Sequence, residues 1–93
     1  MVMAKKRIAV LVRDRQAEAL RMSLGLLLLD DAVDVYVLDG KLDKTEENLS
    51  HLETLKEFEV KIWTNSGPAE GMEDLPTGEI AQRLLGYDHV LPY

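Results

Sequence analysis

The chain of 93 residues has a mass of 10.5 kDa, which is enough for one hydrophobic core and too little for two. Its 11 basic and 17 acidic side chains give a net charge of −6, so we expect no nucleic-acid partner. The absence of cysteine excludes disulfides, thiolate nucleophiles and cysteine-ligated metal sites. We therefore predict a single domain over residues 1–93, with no separate cofactor domain and no cofactor.

The apolar segments are too short for a membrane span or an export signal. The longest apolar run, Leu24–Leu29, is far below the roughly 20 residues that a spanning helix needs. The basic cluster at residues 5–7 is followed only by Ile8–Val12 before Arg13 interrupts, whereas a signal core needs about 7–15 apolar residues. We expect a cytoplasmic protein with no membrane partner.

The first part of the chain follows the pattern strand, helix, strand. Ile8–Val12 is an unbroken, partly β-branched apolar run, which is typical of a central strand in a parallel sheet. Helical spacing then covers Arg15–Leu29. Val33–Leu38 alternates valines with Asp34 and Tyr36, which predicts a second strand with one wetter face.

A second helix and a third strand follow. Thr45–Glu57 carries leucines at helical spacing, and Asp43 or Thr45 is placed to cap this helix. Phe58–Trp63 alternates apolar and charged residues, which predicts the third strand.

The last part contains a loop, a helix and a short strand. Thr64–Leu75 has no periodicity and is predicted to be a loop, Pro76–Leu85 a third helix, and His89–Leu91 the last strand. Strands that alternate with helices imply right-handed parallel crossovers, and hence a three-layer open α/β sheet with helices on both faces. With the most apolar strand in the middle, we predict about four strands in the order 2-1-3-4 and three helices.

This strand order predicts a ligand crevice outside the carboxyl ends of strands one and three, where the winding direction reverses. The candidate ligand-binding residues at these ends and at the neighbouring end of strand two are Arg13, Asp14, Arg15, Asp39, Thr64, Asn65 and Ser66.

The Arg13–Arg15 turn places two guanidinium groups at the start of a helix, where backbone N–H groups also favour an anion such as phosphate, sulfate or a carboxylate. In the alternative interpretation Asp14 caps the helix, and both arginines stay solvated or pair with nearby carboxylates. The polar residues after strand three are also explained by tight-turn chemistry alone.

The sequence contains no complete catalytic constellation. Ser66 as a nucleophile would need a base, and His89 is the histidine that could supply one in a hydrolase. No histidine or carboxylate spacing predicts a metal site. The sequence therefore gives no positive indication of an enzyme.

The first helix has two apolar stripes. Leu20, Leu24, Leu27 and Leu28 form the stripe that we predict to cover the sheet. Met22, Leu26 and Leu29 form a second stripe on another side, and in a chain this small we predict that a second subunit covers it.

Five segments of the sequence carry a family resemblance, namely Lys6–Arg13, Glu18–Leu26, Val33–Asp39, Thr64–Gly71 and Tyr87–Leu91. Together they resemble the DsrE/DsrF-like sulfur-relay family. The resemblance implies a flavodoxin-like, DsrE-like parallel sheet and assembly into dimers, trimers or hexamers through helix and loop surfaces.

The resemblance also implies that a cysteine in the loop after the third or fourth strand carries a persulfide in relay members. The matching segment, Trp63–Gly67, holds no cysteine, and neither serine nor threonine can form a persulfide. We therefore expect a homo-oligomeric, non-catalytic DsrE-like domain with a structural or regulatory role. The alternative is a domain that binds a small molecule or anion in the crevice.

Overall fold

A computed structural model describes residues 6–29, 32–67, 69 and 71–93. The strands within these residues are β1 (Arg7–Val12), β2 (Ala32–Val37), β3 (Ile62–Thr64), β4 (Glu73–Asp74) and β5 (His89–Pro92). The helices are α1 (Gln16–Leu28), α2 (Glu46–Glu57) and α3 (Thr77–Leu84). All four strand pairings are parallel, which confirms the predicted α/β class.

The strand order is β4-β3-β2-β1-β5, so the predicted order 2-1-3-4 is wrong. The apolar strand β1 is central as predicted, but β3 pairs with β2, and β5 takes the other side of β1. The order differs from the prediction because of β2. The alternation of its valines with Asp34 and Tyr36 predicts that one face of this strand is exposed to water. Tyr36 is fully buried, as are Val35 and Val37, so β2 is an internal strand with neighbours on both sides.

Helices cover both faces of the sheet, which confirms the three-layer arrangement. On one face α1 and α2 pack against β-strand valines, with Leu20 and Leu55 fully buried in the same cluster. On the other face α3 contributes Ile80 to a second cluster that contains Tyr36 and Trp63. The core is therefore split by the sheet into an aliphatic side and a more aromatic side.

The segment predicted as the third strand begins with a helix end instead. Phe58 is the C-cap of α2 and is 56% exposed, and Glu59 takes a left-handed conformation with φ of 60°. Helix α2 ends at this point, and the Val60 N–H donates back to the carbonyl of Leu55 at 3.1 Å. Regular pairing starts only at Ile62.

Two further sequence expectations meet the structure at the connections. Thr45 caps α2 as predicted, since its hydroxyl oxygen accepts the Asn48 N–H at 3.1 Å. The predicted loop Thr64–Leu75 contains the short strand β4, which pairs with β3 through Trp63 opposite Glu73. In the part of the chain that the structure describes, no helix is long and apolar enough to cross a membrane.

Candidate functional site

The carboxyl end of β1 lies next to the end of β5 rather than next to β3. The backbone N–H groups of Asp14 and Arg15 both donate to the carbonyl of Tyr93, each at 3.2 Å. The Arg15 guanidinium lies 5.4 Å from the centre of the Tyr93 ring and 3.3 Å from the Glu18 carboxylate. Two N–H groups of this turn, those of Asp14 and Arg15, are therefore engaged by the chain itself.

The alternative interpretation of this turn is correct in one respect. Arg15 pairs with a carboxylate, but Asp14 does not cap the helix, because the N-cap residue is Arg15 and no side chain caps α1. Arg13 and Asp14 are exposed. The turn is thus stabilised by the last described residue, Tyr93, instead of by an aspartate cap.

The ends of β2 and β3 form a hydrogen-bonded cluster. The Asn65 Oδ1 accepts the N–H of Asp39 at 3.0 Å, and the Ser66 Oγ accepts the N–H of Gly40 at 2.9 Å. Asp39 is held in the left-handed region with φ of 60°, a conformation that aspartate tolerates better than most residues. The structure therefore brings Asp39, Asn65 and Ser66 together, whereas the predicted strand order placed Asp39 only at the edge of the crevice.

The polar groups of this cluster satisfy one another. The Asn65 amide nitrogen donates to the Thr77 hydroxyl at the start of α3, at 3.1 Å. The Ser66 hydroxyl donates to the Asn65 Oδ1 at 3.3 Å, and the buried Thr64 hydroxyl accepts the Ser66 N–H at 3.2 Å. These side chains tie β2, β3 and α3 together, which is a structural role.

The predicted crevice between the first and third strands is wrong. Strand β2 lies between β1 and β3, and adjacent strands are spaced by about 4.8 Å, so the Arg13–Arg15 turn and the Asn65–Ser66 turn are separated by about 10 Å of sheet. The hydrolase hypothesis is wrong for a related reason. His89 starts β5 and pairs with Ile8, whereas Ser66 follows the opposite, carboxyl end of β3.

A tyrosine pair bonded to a carboxylate lies on the α3 side of the sheet and was not predicted. The Tyr87 hydroxyl donates to the Asp34 Oδ2 at 2.6 Å, and the hydroxyls of Tyr87 and Tyr36 are 2.8 Å apart. Because Tyr87 donates to Asp34, Tyr36 is the donor to Tyr87. Burial raises the pKa of both tyrosines, and the hydrogen bond to Asp34 raises the pKa of Tyr87 further.

Stacked aromatic and charged groups surround this pair. The rings of Tyr36 and Trp63 are stacked with centroids 5.0 Å apart, and the Trp63 indole N–H donates to a Glu73 carboxylate oxygen at 3.1 Å. Guanidinium groups lie 5.0 Å from the Tyr87 ring centre (Arg7) and 5.3 Å from that of Trp63 (Arg83). The sequence signal for this pair was the position of Asp34 and Tyr36 on one face of β2. Their partner Tyr87 could not be found from the sequence, because it lies 51 residues away from Tyr36.

The exposed apolar residues of α1 differ from those of the predicted second stripe. Met22 and Leu29 are 43% and 74% exposed, but Leu26 is half-buried and packs against the aliphatic cluster. Leu28 was predicted to face the sheet and is 80% exposed. Leu26 is half-buried because α1 packs against both the sheet and α2, which widens the buried face of the helix. The exposed apolar residues are therefore Met22, Leu28 and Leu29.

Metal binding has no structural basis in residues 6–29, 32–67, 69 and 71–93, where no group of three or more histidine, aspartate or glutamate side chains could hold an ion.

Comparisons with known proteins give a fold likeness. No protein-family model matches the chain, and no curated protein matches its sequence. Among solved structures, the fold is similar to that of the YchN protein from E. coli, with a TM-score of 0.75 at 16% sequence identity. The likeness covers 97% of this chain and 100% of the YchN chain. At this identity it shows the fold alone, a parallel α/β sheet of matching extent.

Proposed function

We propose that this chain is a DsrE/DsrF-like domain that works as a homo-oligomeric, non-catalytic subunit, with a structural or regulatory role in sulfur metabolism. The fold likeness to YchN and the sequence segments quoted above support the family assignment. The lack of cysteine supports a role that does not include carrying a persulfide. The segment that matches the relay loop fits a structural part, because Asn65 and Ser66 hold the end of β2.

The outward stripe of α1 is the observation that carries the oligomer proposal. Three exposed apolar residues lie on one side of α1. Met22 and Leu29 are seven residues apart, which is about two helical turns, and Leu28 directly precedes Leu29. Fully burying a leucine side chain contributes about 1.5–3 kcal/mol, so a symmetric pair of such stripes supplies several such contributions. A second copy of the chain is the simplest partner for them.

Gly25 supports the same partner. It lies in the middle of α1 on the exposed side, where glycine is less favourable than alanine by about 1 kcal/mol. No atom of the described residues lies within 4 Å of where a Cβ would be, so no contact among them requires a glycine here. A close crossing of the α1 helices of two subunits supplies a reason.

The shape around Gly25 is suited to a two-fold contact. A groove of about 410 Å³ is lined by Glu18, Arg21, Met22, Gly25 and Tyr93. Leu28 and Leu29 protrude beside it on the same helix. In an antiparallel pair of α1 helices crossing near Gly25, the leucines of each subunit meet the groove of the other.

Analytical ultracentrifugation of a matched pair of variants tests the proposal. We expect the unmodified protein to sediment as a dimer or larger, and Leu28→Lys to sediment as a 10.5 kDa monomer with unchanged circular dichroism. The control is Leu85→Lys, because Leu85 is 87% exposed and also ends a helix, so both lysines interact similarly with the helix dipole. A monomeric unmodified protein would contradict the proposal, as would equal dissociation by both variants.

A further inference from the structure

A cavity of about 500 Å³ lies beside α2, on a part of the surface that the proposed oligomer does not use. It is bounded by α2, by the segment 41–44 that leads into α2, and by Ala69 and Met72 from the connection between β3 and β4. Pockets for small organic ligands commonly have volumes of about 300–1,000 Å³. The cavity is therefore large enough for a ligand of about ten non-hydrogen atoms.

The inner wall of the cavity is apolar. Leu42, Leu49, Leu52 and Met72 line it. Leu52 is almost fully buried, whereas Leu49 is 47% exposed although it belongs to the leucine pattern of α2. An apolar ligand body would remove this exposed leucine surface from water, which favours binding.

The rim of the cavity is rich in lysine. Lys41, Lys44 and Lys56 line it, which is three of the six lysines in a chain whose net charge is −6. Asp43 and Glu53 also line the cavity, so the described lining residues together carry a net charge of +1. This local excess of positive charge opposes the sign of the whole molecule and favours an anionic group on the ligand.

The wall formed by the segment 41–44 is held by the amide side chains of half-buried Gln16 and buried Asn48. The Gln16 side chain donates to the Lys41 carbonyl at 3.2 Å and accepts the Asp43 N–H at 2.9 Å. The Asn48 amide nitrogen donates to the Asp43 carbonyl at 3.0 Å and to Gln16 at 3.2 Å. A wall that is already ordered lowers the entropy cost of binding.

The Lys56 side chain ends beside Gly71. Gly71 has a φ of +77°, and a Cβ at this position would overlap the ammonium end of Lys56. The lack of a side chain at Gly71 therefore leaves room for the Lys56 ammonium group, and Lys56 is one of the residues that line the cavity.

We propose that this cavity binds a small amphipathic organic anion, a carboxylate with an aliphatic body, whose chain lies on the leucine wall and whose charge meets the lysines. The proposal concerns a different surface from the α1 stripe, so either proposal can fail without the other. Octanoate is a suitable probe, with octanol as the uncharged equivalent and inorganic phosphate as an anion without an apolar body.

Nuclear magnetic resonance titration of the full chain tests the proposal. We expect octanoate to shift the methyl signals of Leu49 and Met72, octanol to bind about tenfold more weakly, and phosphate to leave these signals unchanged. The double variant Lys44→Gln/Lys56→Gln should lower the octanoate affinity about tenfold, since two ion pairs of up to about 1 kcal/mol each are lost. The control Lys6→Gln/Lys61→Gln changes the net charge equally, lies outside the cavity lining and should bind octanoate normally.

Leu49→Gln tests the apolar wall, with Leu85→Gln as its exposed control. We expect only the variant at Leu49 to weaken octanoate binding. The proposal is overturned if octanol binds as tightly as octanoate, if phosphate shifts the same signals, if both lysine pairs weaken binding equally, or if octanoate shifts no cavity methyl.

Discussion

The short hydrogen bond between Tyr87 and Asp34 joins two segments that are far apart in the chain. It links the turn before β5 to the second strand, with 2.6 Å between the hydroxyl oxygen and the carboxylate oxygen. Bonds to an ionised acceptor are roughly twice as strong as those between neutral groups. The Tyr87 hydroxyl oxygen also accepts a hydrogen bond from the buried Tyr36 hydroxyl, so one side chain satisfies two partners.

We expect Tyr87→Phe to lower the free energy of unfolding by about 1–3 kcal/mol, because it leaves the Asp34 carboxylate without a donor and the Tyr36 hydroxyl without an acceptor. Urea unfolding monitored by circular dichroism measures this change. Tyr93→Phe is the control, since the structure gives the Tyr93 hydroxyl no hydrogen bond to another described residue. Equal and small losses in both variants would show that the hydroxyl bonds contribute nothing specific.

At the scale of helices and strands, the elements that carry their own sequence pattern could be predicted. Apolar runs gave β1 and β2, and Thr45 was a recognisable cap for α2. Strand β4 could not be found, because Glu73 and Asp74 are two acidic residues with no strand pattern of their own. The start of β3 was misplaced because alternation continued back to Phe58, into the end of α2.

The candidate site, like the fold, could be predicted only in part. Asp39, Asn65 and Ser66 follow strand ends, and parallel strands bring such ends to one edge. The contact of Arg15 with Tyr93 depends on β5 pairing with β1, which is a long-range choice without a local signal. The half-buried position of Leu26 likewise depends on how α2 packs against α1.

Helix α1 gives the next prediction, through Gly25. We expect Gly25→Ala to raise the stability of the isolated subunit by about 0.5–1 kcal/mol, because alanine is the better helix former and its methyl group meets nothing within 4 Å. The same methyl group should weaken self-association if two α1 helices cross there. Urea unfolding at low protein concentration and sedimentation measure the two effects separately.

Gly78→Ala in α3 is the matched control, because a Cβ there also meets nothing within 4 Å. It should leave association unchanged. Should Gly25→Ala stabilise the subunit without affecting association, the crossing point of the helices lies elsewhere on α1.

At the scale of the whole molecule, the tyrosine pair makes stability dependent on alkaline pH. The pKa values of Tyr36 and Tyr87 are raised from their ordinary value of 10.0, so the folded chain keeps protons that the unfolded chain releases above that pH. Their contribution is complete below about pH 10 and is lost as the pH rises toward the folded-state pKa values. Above pH 10 the expected slope approaches about 1.4 kcal/mol per pH unit for Tyr87, and Tyr36 acts in the same direction.

Urea unfolding from about pH 9 to about pH 11 measures this slope. The double variant Tyr36→Phe/Tyr87→Phe should show a clearly shallower decline, because the two groups responsible are gone. Parallel pH profiles for the two proteins would contradict the raised pKa values.

The two edges of the sheet also decide how copies of this chain can meet. One edge is β4, only two residues long, and both residues are exposed acids. The other is β5, in which Pro92 lacks an N–H to donate. Short, charged or proline-containing edges are poor templates for adding a further strand. The sheet is therefore protected against growing from one molecule into the next, which lowers the tendency of the chain to form fibrillar aggregates.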